Sequence, residues 1–212
     1  AYTTNGGINW PVSQVPDSLR AMVEIQFVNQ TTGYCAGAYN RFLSRKPDMS
    51  KYNKLTFQNI YTSENDSDEY KGLFMKTTNS GQSWFAFGTL PFNVFYMLGL
   101  KFVNSTTAFV IVSYNYSGGV NDGVIKTTNA GLNWTVSPMP ENINNLNDIF
   151  FLDDNTGYCC GFDVVNDSGR GVILKTTNAG VSWSRQIFME IYEFRGIHFT
   201  NAFTGIAVGG SG

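Results

Sequence analysis

The chain has 212 residues, of which 14% are charged, and its formal net charge at pH 7 is −2. This balance argues against the basic face that nucleic-acid binding requires, and no apolar run reaches the length that spans a membrane. The length suffices for one domain with a sizeable core, predicted to cover residues 1–212. Low charge with many Asn, Thr, Ser, Gly and Tyr residues favours an extracellular, cell-surface or periplasmic location.

One motif, Thr-x-Asn-x-Gly-x-x-Trp, occurs four times along the chain and contains all four tryptophans. Asn and Gly suit a tight turn because both accept the left-handed backbone conformation at low cost. We therefore interpret the motif as a repeated structural turn. Its defining residues are Asn5, Gly7, Trp10, Asn79, Gly81, Trp84, Asn129, Gly131, Trp134, Asn178, Gly180 and Trp183.

Short strands are predicted around each copy of this turn. A first strand alternates apolar and polar residues and ends on Phe, as in Ile25-x-Phe27, Leu100-x-Phe102, Ile149-x-Phe151 and Ile197-x-Phe199. In the third repeat a second strand covers 156–161, a third covers 172–176, and a fourth starts near Trp183. Four short strands recurring roughly every 50 residues predict an all-β protein, a β-propeller of four-stranded antiparallel blades.

The repeated turn resembles the Asp-box, or BNR repeat, of sialidases and sortilin-type receptors. The longer unit places Thr-Gly-Tyr-x-x-Gly, as in residues 156–161, before Ile-x-Lys-Thr-Thr-Asn-x-Gly-x-x-Trp, as in residues 173–183. This unit is most similar to the photosystem II assembly-factor-like family of secreted bacterial propellers. The resemblance implies that the motif fastens a turn to its blade and that its Trp packs between blades. It implies a fold and no catalytic activity.

The predicted strands leave half a blade at each end of the chain. Residues 194–210 supply two strands of one blade and residues 2–12 supply the other two, which predicts four blade equivalents with one composite blade. Such a composite blade closes the ring within one molecule. Two alternatives remain. The chain is an excerpt of a larger propeller, or the half-blades join neighbouring molecules into a filament, since an unpaired strand edge invites pairing.

An insertion of about residues 38–71 interrupts the first complete blade and is basic in its first half and acidic in its second. Aromatic and polar residues on the variable face of a propeller suit a protein or glycan partner, although the same aromatics could pack onto the ring. The acidic part lacks the spacing of a calcium loop, so no metal is predicted. Candidate binding residues are Tyr39, Arg41, Phe42, Arg45, Lys46, Tyr52, Phe92, Phe95, Tyr96, Tyr114 and Tyr116.

The sequence contains no recognisable catalytic constellation or cofactor fingerprint. The arginines are dispersed, unlike the cluster that sialidases need. The only histidine, His198, occupies a strand position that Gln26, Lys101 and Phe150 hold in the other repeats. We therefore predict a non-enzymatic scaffold that binds a protein or glycan, with no catalytic residues. A glycosidase using two facing carboxylates is the enzymatic alternative.

The cysteines and the glycosylation motifs give weaker signals. Cys35 and Cys159 occupy the same strand position in different repeats and Cys160 is adjacent, so three buried thiols are predicted rather than a disulfide. Six Asn-x-Ser/Thr motifs are possible glycosylation sites: Asn29, Asn65, Asn104, Asn115, Asn133 and Asn166.

Overall fold

The computed structural model of the protein describes residues 1–17, 19–40, 70–91, 94–116, 119–140, 143, 145–165, 168–188 and 190–210. These residues form three four-stranded antiparallel sheets and one two-stranded sheet, which we number 1 to 4 in chain order. The prediction of an all-β fold built from four-stranded antiparallel sheets is confirmed. Within the described part of the chain there is no helix long and apolar enough to cross a membrane.

In the three complete sheets each strand pairs with the next one along the chain. Sheet 1 contains β1 (Leu19–Phe27), β2 (Gly33–Asn40), β3 (Tyr70–Thr77) and β4 (Phe85–Ala86). Sheet 2 contains β5 (Val94–Phe102), β6 (Ala108–Tyr116), β7 (Gly119–Thr127) and β8 (Thr135–Ser137). Sheet 3 contains β9 (Asn145–Phe151), β10 (Gly157–Val165), β11 (Ser168–Thr176) and β12 (Ser184–Phe188). Sheet 4 contains β13 (Glu193–Asn201) and β14 (Thr204–Gly210).

The repeated turns, residues 3–10, 77–84, 127–134 and 176–183, share one set of hydrogen bonds. In the second copy, the Thr77 hydroxyl accepts the Gly81 N–H at 3.0 Å and the Asn79 Oδ1 accepts the Ser83 N–H at 2.9 Å. The residue before the motif glycine has a φ of 58° at Ser80. The Thr and Asn side chains thus satisfy the main-chain groups that the sharp turn removes from the strand ladder.

Aromatic stacking joins each sheet to the next. In each complete sheet, the second residue of the second strand is aromatic. It stacks on the repeated Phe in the first strand of the following sheet. Tyr34 stacks on Phe102 at 4.5 Å, Phe109 on Phe151 at 4.1 Å and Tyr158 on Phe199 at 3.9 Å, measured between ring centroids. These pairs make the main apolar core a series of inter-sheet contacts.

A lysine from the third strand extends each stack. Lys76, Lys126 and Lys175 place their Nζ atoms 5.5, 5.4 and 5.5 Å from the ring centroids of Tyr34, Phe109 and Tyr158. A cation over an aromatic face is favourable and shields one side of the ring from water. The Lys of the repeat therefore has a structural role that follows from its position one residue before the motif Thr.

Among the described residues, sheet 4 consists of β13 and β14 alone. β14 pairs with β13 alone, and no described residue of segment 1–12 pairs with it, so the composite blade predicted from the sequence is not formed here. Gln14, which follows the first turn, pairs instead with the second repeated turn: its main-chain N–H donates to the Gln82 carbonyl and its carbonyl accepts the Trp84 N–H, both at 2.8 Å. Thr89, which follows sheet 1, forms the same kind of bridge to Asn133 of the third repeated turn. The segment after the first turn thus contacts the second turn in the way that the segment after sheet 1 contacts the third.

Candidate functional site

The first strands of the sheets lie side by side, since β1, β5, β9 and β13 each contact the next. This is the arrangement of the innermost strands in a propeller. Each of these strands contains the repeated Phe. The residue immediately before it occupies an equivalent position on all four strands. These four residues, which we call the inner row, are Gln26, Lys101, Phe150 and His198.

Three members of the inner row touch in sequence across sheets 2, 3 and 4. The Lys101 Nζ lies 5.4 Å from the centroid of the Phe150 ring. The His198 imidazole lies 4.8 Å from the same ring at an interplanar angle of 63°, an edge-on contact. Lys101 and Phe150 are partly exposed and His198 is exposed, so the three groups form an accessible cation–aromatic–imidazole series.

The fourth member, Gln26, fixes the neighbouring strand. Its Oε1 accepts the Phe102 N–H at 2.7 Å and its Nε2 donates to the Phe102 carbonyl at 3.2 Å. Both the oxygen and the nitrogen of the side-chain amide are therefore hydrogen-bonded to main-chain groups. Gln26 positions β5, and with it Lys101, next to β1.

Carboxylates on the same strands anchor the sheets to one another. The Glu24 Oε2 accepts the Leu100 N–H at 2.8 Å, and the Asp148 Oδ2 accepts the Ile197 N–H at 2.9 Å. Burial raises the pKa of Glu24, with the hydrogen bond from Leu100 opposing it and the charge of Asp148 adding to it. One oxygen of each carboxylate accepts a hydrogen bond from a main-chain N–H of the next sheet. Both carboxylates therefore hold together the strands that carry the inner row.

The inner row can bind groups that complement a cation and an aromatic surface. Lys101 can pair with a carboxylate, Phe150 offers a flat apolar surface, and His198 can donate or accept a hydrogen bond. Side chains of a peptide supply all three kinds of group. Among the described residues, no group of three or more His, Cys, Asp or Glu side chains could hold a metal ion.

Most of the binding residues predicted from the sequence lie outside the part of the chain described here. Arg41, Phe42, Arg45, Lys46, Tyr52 and Phe92 fall outside the described residues, as do the side chains of Tyr39 and Tyr116. β2 ends at Asn40 and β3 begins at Tyr70, so the predicted insertion joins these two strands. These residues stay predictions.

Three of the predicted binding residues are described, and they contribute to packing. Tyr96 is 4% exposed, and its burial raises the pKa of its phenol. Tyr114 and Phe95 are partly buried, and Tyr114 packs against the core between sheets 1 and 2. Tyr96 is therefore withdrawn from the surface that a partner can contact in this structure.

The cysteines and possible glycosylation sites also have defined places. Cys35, Cys159 and Cys160 are free and buried, as predicted. Asn29, Asn104 and Asn133 are exposed on turns. Asn65 and Asn166 lie outside the described residues, as does the side chain of Asn115, so glycosylation stays a prediction at all six positions.

Sequence reasoning placed the four inner-row residues at one strand position but did not recognise them as a site. The signal was present, because each residue precedes an equivalent Phe and the repeats are in register. What the sequence lacked was the contact between repeats, which brings Lys101, Phe150 and His198 together.

Comparisons with known proteins support a fold but do not identify a family. No family model matches the chain, and no curated protein sequence matches it. A solved structure described as YCF48 bound to D1 peptide is similar, with a TM-score of 0.55 and 14% identity over 92% of this chain and 48% of that chain. At that identity the likeness supports a propeller-type all-β fold. This chain spans about half the length of that protein.

A second solved structure, an enzyme described as Niastella koreensis GH74, is less similar. Its TM-score is 0.40 at 14% identity, over 77% of this chain and 29% of that chain. A likeness of this strength carries no argument about activity.

Proposed function

We propose that this protein is a non-enzymatic β-propeller scaffold that binds an extended segment of another protein across its inner row. The observation that carries the proposal is the accessible series formed by Lys101, Phe150 and His198. The structurally similar YCF48 is described as bound to a peptide, which supports this class of ligand. The sheet-to-sheet anchors at Glu24 and Asp148 hold the three groups in place before a ligand arrives, which lowers the entropic cost of binding.

We further propose an extracellular, cell-surface or periplasmic location, with the repeated turns acting as Asp-box-type fasteners of four blade equivalents. The low fraction of charged residues and the exposed Asn and Thr side chains of the turns support this location. Fractionation of the native host, with an antibody against the protein, tests it. Recovery in the cytoplasmic fraction alone would contradict it.

A displayed library of random peptides tests the binding proposal. We expect the full chain to enrich peptides that contain an acidic residue next to an aromatic one, because these complement Lys101 and Phe150. Affinity of the best peptide is then measured by fluorescence anisotropy at two salt concentrations. Raising the salt should weaken binding, since Lys101 contributes through its charge.

A variant pair shows whether the inner row is the site. Lys101→Glu should lower the affinity at least tenfold, because it places a repelling charge beside the acidic group of the peptide. Glu190→Lys, at an exposed position outside the inner row, is a charge-reversal control of opposite sign and should leave affinity within about twofold. Equal binding by both variants would reject the inner row as the site. Enrichment of no peptide, together with binding to a glycan array, would reject the protein ligand.

A further inference from the structure

The asparagine of each repeated turn has the same two donors on its side-chain oxygen. The Asn5 Oδ1 accepts the Thr3 hydroxyl and the Asn9 N–H, both at 3.0 Å. In the other three copies the equivalent donors lie at 2.9 to 3.0 Å, and all four asparagines are exposed to water. Donors placed in this way stabilise the negative charge that develops on the oxygen when a nucleophile attacks the Cγ atom. The side-chain amide is therefore open to attack in all four turns.

The residue that follows this asparagine differs between the copies. It is Gly6 in the first turn but Ser80, Ala130 and Ala179 in the other three. The main-chain nitrogen of this residue is the atom that can attack the Cγ of the preceding asparagine and close a five-membered ring. A Cβ atom hinders that approach, whereas glycine has none and leaves the backbone the widest choice of conformations. Ring closure therefore meets the least steric resistance in the first turn.

The nitrogen that has to leave is also held differently. The Asn79 Nδ2 donates to the Ser83 Oγ, and the Asn178 Nδ2 donates to the Ser182 Oγ, both at 2.9 Å. Such a bond restrains the rotation that turns the Cγ atom towards the attacking nitrogen. In the first and third turns the position of this serine is occupied by asparagine. The third turn is thus the internal match for the first, from which it differs in the residue after the motif asparagine.

We propose that Asn5 deamidates spontaneously in the folded protein, through attack of the Gly6 main-chain nitrogen on the Asn5 Cγ atom. A bond forms between these two atoms and the Cγ–Nδ2 bond breaks. The proton of the Gly6 N–H leaves with the amide nitrogen as ammonia. Water then opens the cyclic imide at either carbonyl and gives aspartate or isoaspartate. The reaction consumes one water molecule and needs no oxidant or reductant.

The two products should affect the turn differently. Aspartate keeps an oxygen in the place of Oδ1, so it can still accept the Asn9 N–H, although it adds a negative charge. In isoaspartate the main chain runs through the former side chain and is one methylene longer. The Thr3–Gly7 bond and the bond to Asn9 should then not both be retained. The Trp10 indole, which donates to the Gly7 carbonyl at 2.9 Å, should lose its fixed position as the turn opens.

Incubation of the full chain in mildly alkaline water enriched in oxygen-18 tests the proposal. Solvent water opens the imide, so each event in the folded protein inserts one labelled oxygen, whereas deamidation during later digestion in ordinary water inserts none. Circular dichroism during the incubation establishes that the chain stays folded. Tandem mass spectrometry then locates the label and distinguishes isoaspartate from aspartate.

We expect Asn5 to be labelled about tenfold faster than Asn129 of the third turn, because glycine removes the steric resistance to ring closure. Isoaspartate should be a product beside aspartate, since both carbonyls of the imide are open to water. Labelling of Asn5 no faster than that of Asn129 would overturn the proposal. So would aspartate as the sole product, because direct hydrolysis of the amide gives aspartate alone. Both comparisons are made on the unmodified chain and do not depend on how a variant folds.

Two variants of the first turn test the two features that favour the reaction. Gly6→Ala should fold, because Ala130 and Ala179 have φ values of 58° and 54° at the same place in their turns. It should lower the labelling of Asn5 to the rate of Asn129, and an unchanged rate would overturn the proposal. Asn9→Ser supplies the serine that holds the amide in two other copies and should slow the labelling as well. Ile8→Ala, at an 80% exposed position of the same turn, is the control and should react like the unmodified chain.

Discussion

The Asp122 carboxylate of sheet 2 accepts the main-chain N–H of Leu146 in the first strand of sheet 3, at 2.9 Å. Its other oxygen accepts the Ser113 hydroxyl at 2.6 Å. Asp122 is 9% exposed, so the contact is nearly free of water. Glu24 and Asp148 form bonds of the same kind. Each of the three interfaces between neighbouring sheets therefore has a carboxylate that accepts a main-chain N–H of the following sheet.

Stability should decrease as the pH rises, because of Asp122. Burial raises its pKa from 3.8 to about 6, against the opposing hydrogen bonds from Ser113 and Leu146. A raised folded-state pKa contributes stability that is full below the unfolded value and is lost as the pH rises through the folded value. We expect this group to lower the free energy of unfolding by at most about 3 kcal/mol between about pH 4 and pH 7. Urea titrations across this range measure it.

The variant Asp122→Asn should flatten that pH dependence. The Asn oxygen can still accept the Leu146 N–H, and its amide can donate to the Ser113 hydroxyl, but the side chain no longer titrates. The raised pKa of Glu24 acts in the same direction and remains in the variant, so some slope should persist. If the free energy of unfolding changes with pH equally in the variant and in the unmodified protein, Asp122 is not the source of the pH dependence.

The motif glycines should differ in their tolerance of alanine according to what lies beside them. Gly131 and Gly7 have φ values of 87° and 89°, so Ala suffers the same backbone strain at both. A Cβ at Gly131 would lie 2.1 Å from the Phe74 ring, whereas the nearest atom at Gly7 belongs to Trp10 at 3.6 Å. We expect Gly131→Ala to lower the free energy of unfolding by about 1–3 kcal/mol more than Gly7→Ala. If thermal or urea unfolding shows that both variants lose the same free energy of unfolding, the contact with Phe74 does not explain the sensitivity of Gly131.

Removing Asp148 should loosen sheet 4 before the rest of the protein. Asp148→Ala leaves the Ile197 N–H without its acceptor, at a cost of about 1–3 kcal/mol. Hydrogen exchange should therefore accelerate in β13 and β14 and change little in β6 and β7. Glu190→Ala, at an exposed turn, is the control and should leave exchange unchanged. Uniform acceleration throughout the chain would mean that Asp148 supports global stability instead.

The three thiols should resist modification in the native protein. Burial raises the pKa of Cys35 and of Cys160 to about 12 and raises that of Cys159 as well. Because the thiolate is the reactive form and all three sulfurs are buried, a thiol reagent should label none of them until the protein unfolds. Labelling of one cysteine at the rate of a free thiol would place it at an opening of the fold.

Local features of the sequence were sufficient to predict the strands and turns. The spacing of Thr77, Asn79 and Gly81 specifies a turn in which the Thr77 and Asn79 side chains accept main-chain N–H groups two to four residues away. Alternation before Phe102 and Phe151 specifies strands with one apolar face. The anchors formed by Glu24, Asp122 and Asp148 were not predictable in this way, because their donors lie in another sheet. Glu24 and Asp148 share one repeat position, but Asp122 does not.

The repeated unit of this protein follows from the amino-acid pattern, since a strand's alternation and a turn's left-handed residues are properties of short segments. How the units meet depends instead on contacts between residues far apart in the chain. The contact of Lys101, Phe150 and His198 depends on the offset between sheets that aromatic stacking and carboxylate anchors set. The bridge from Gln14 to the second repeated turn is likewise a long-range pairing that no local pattern encodes.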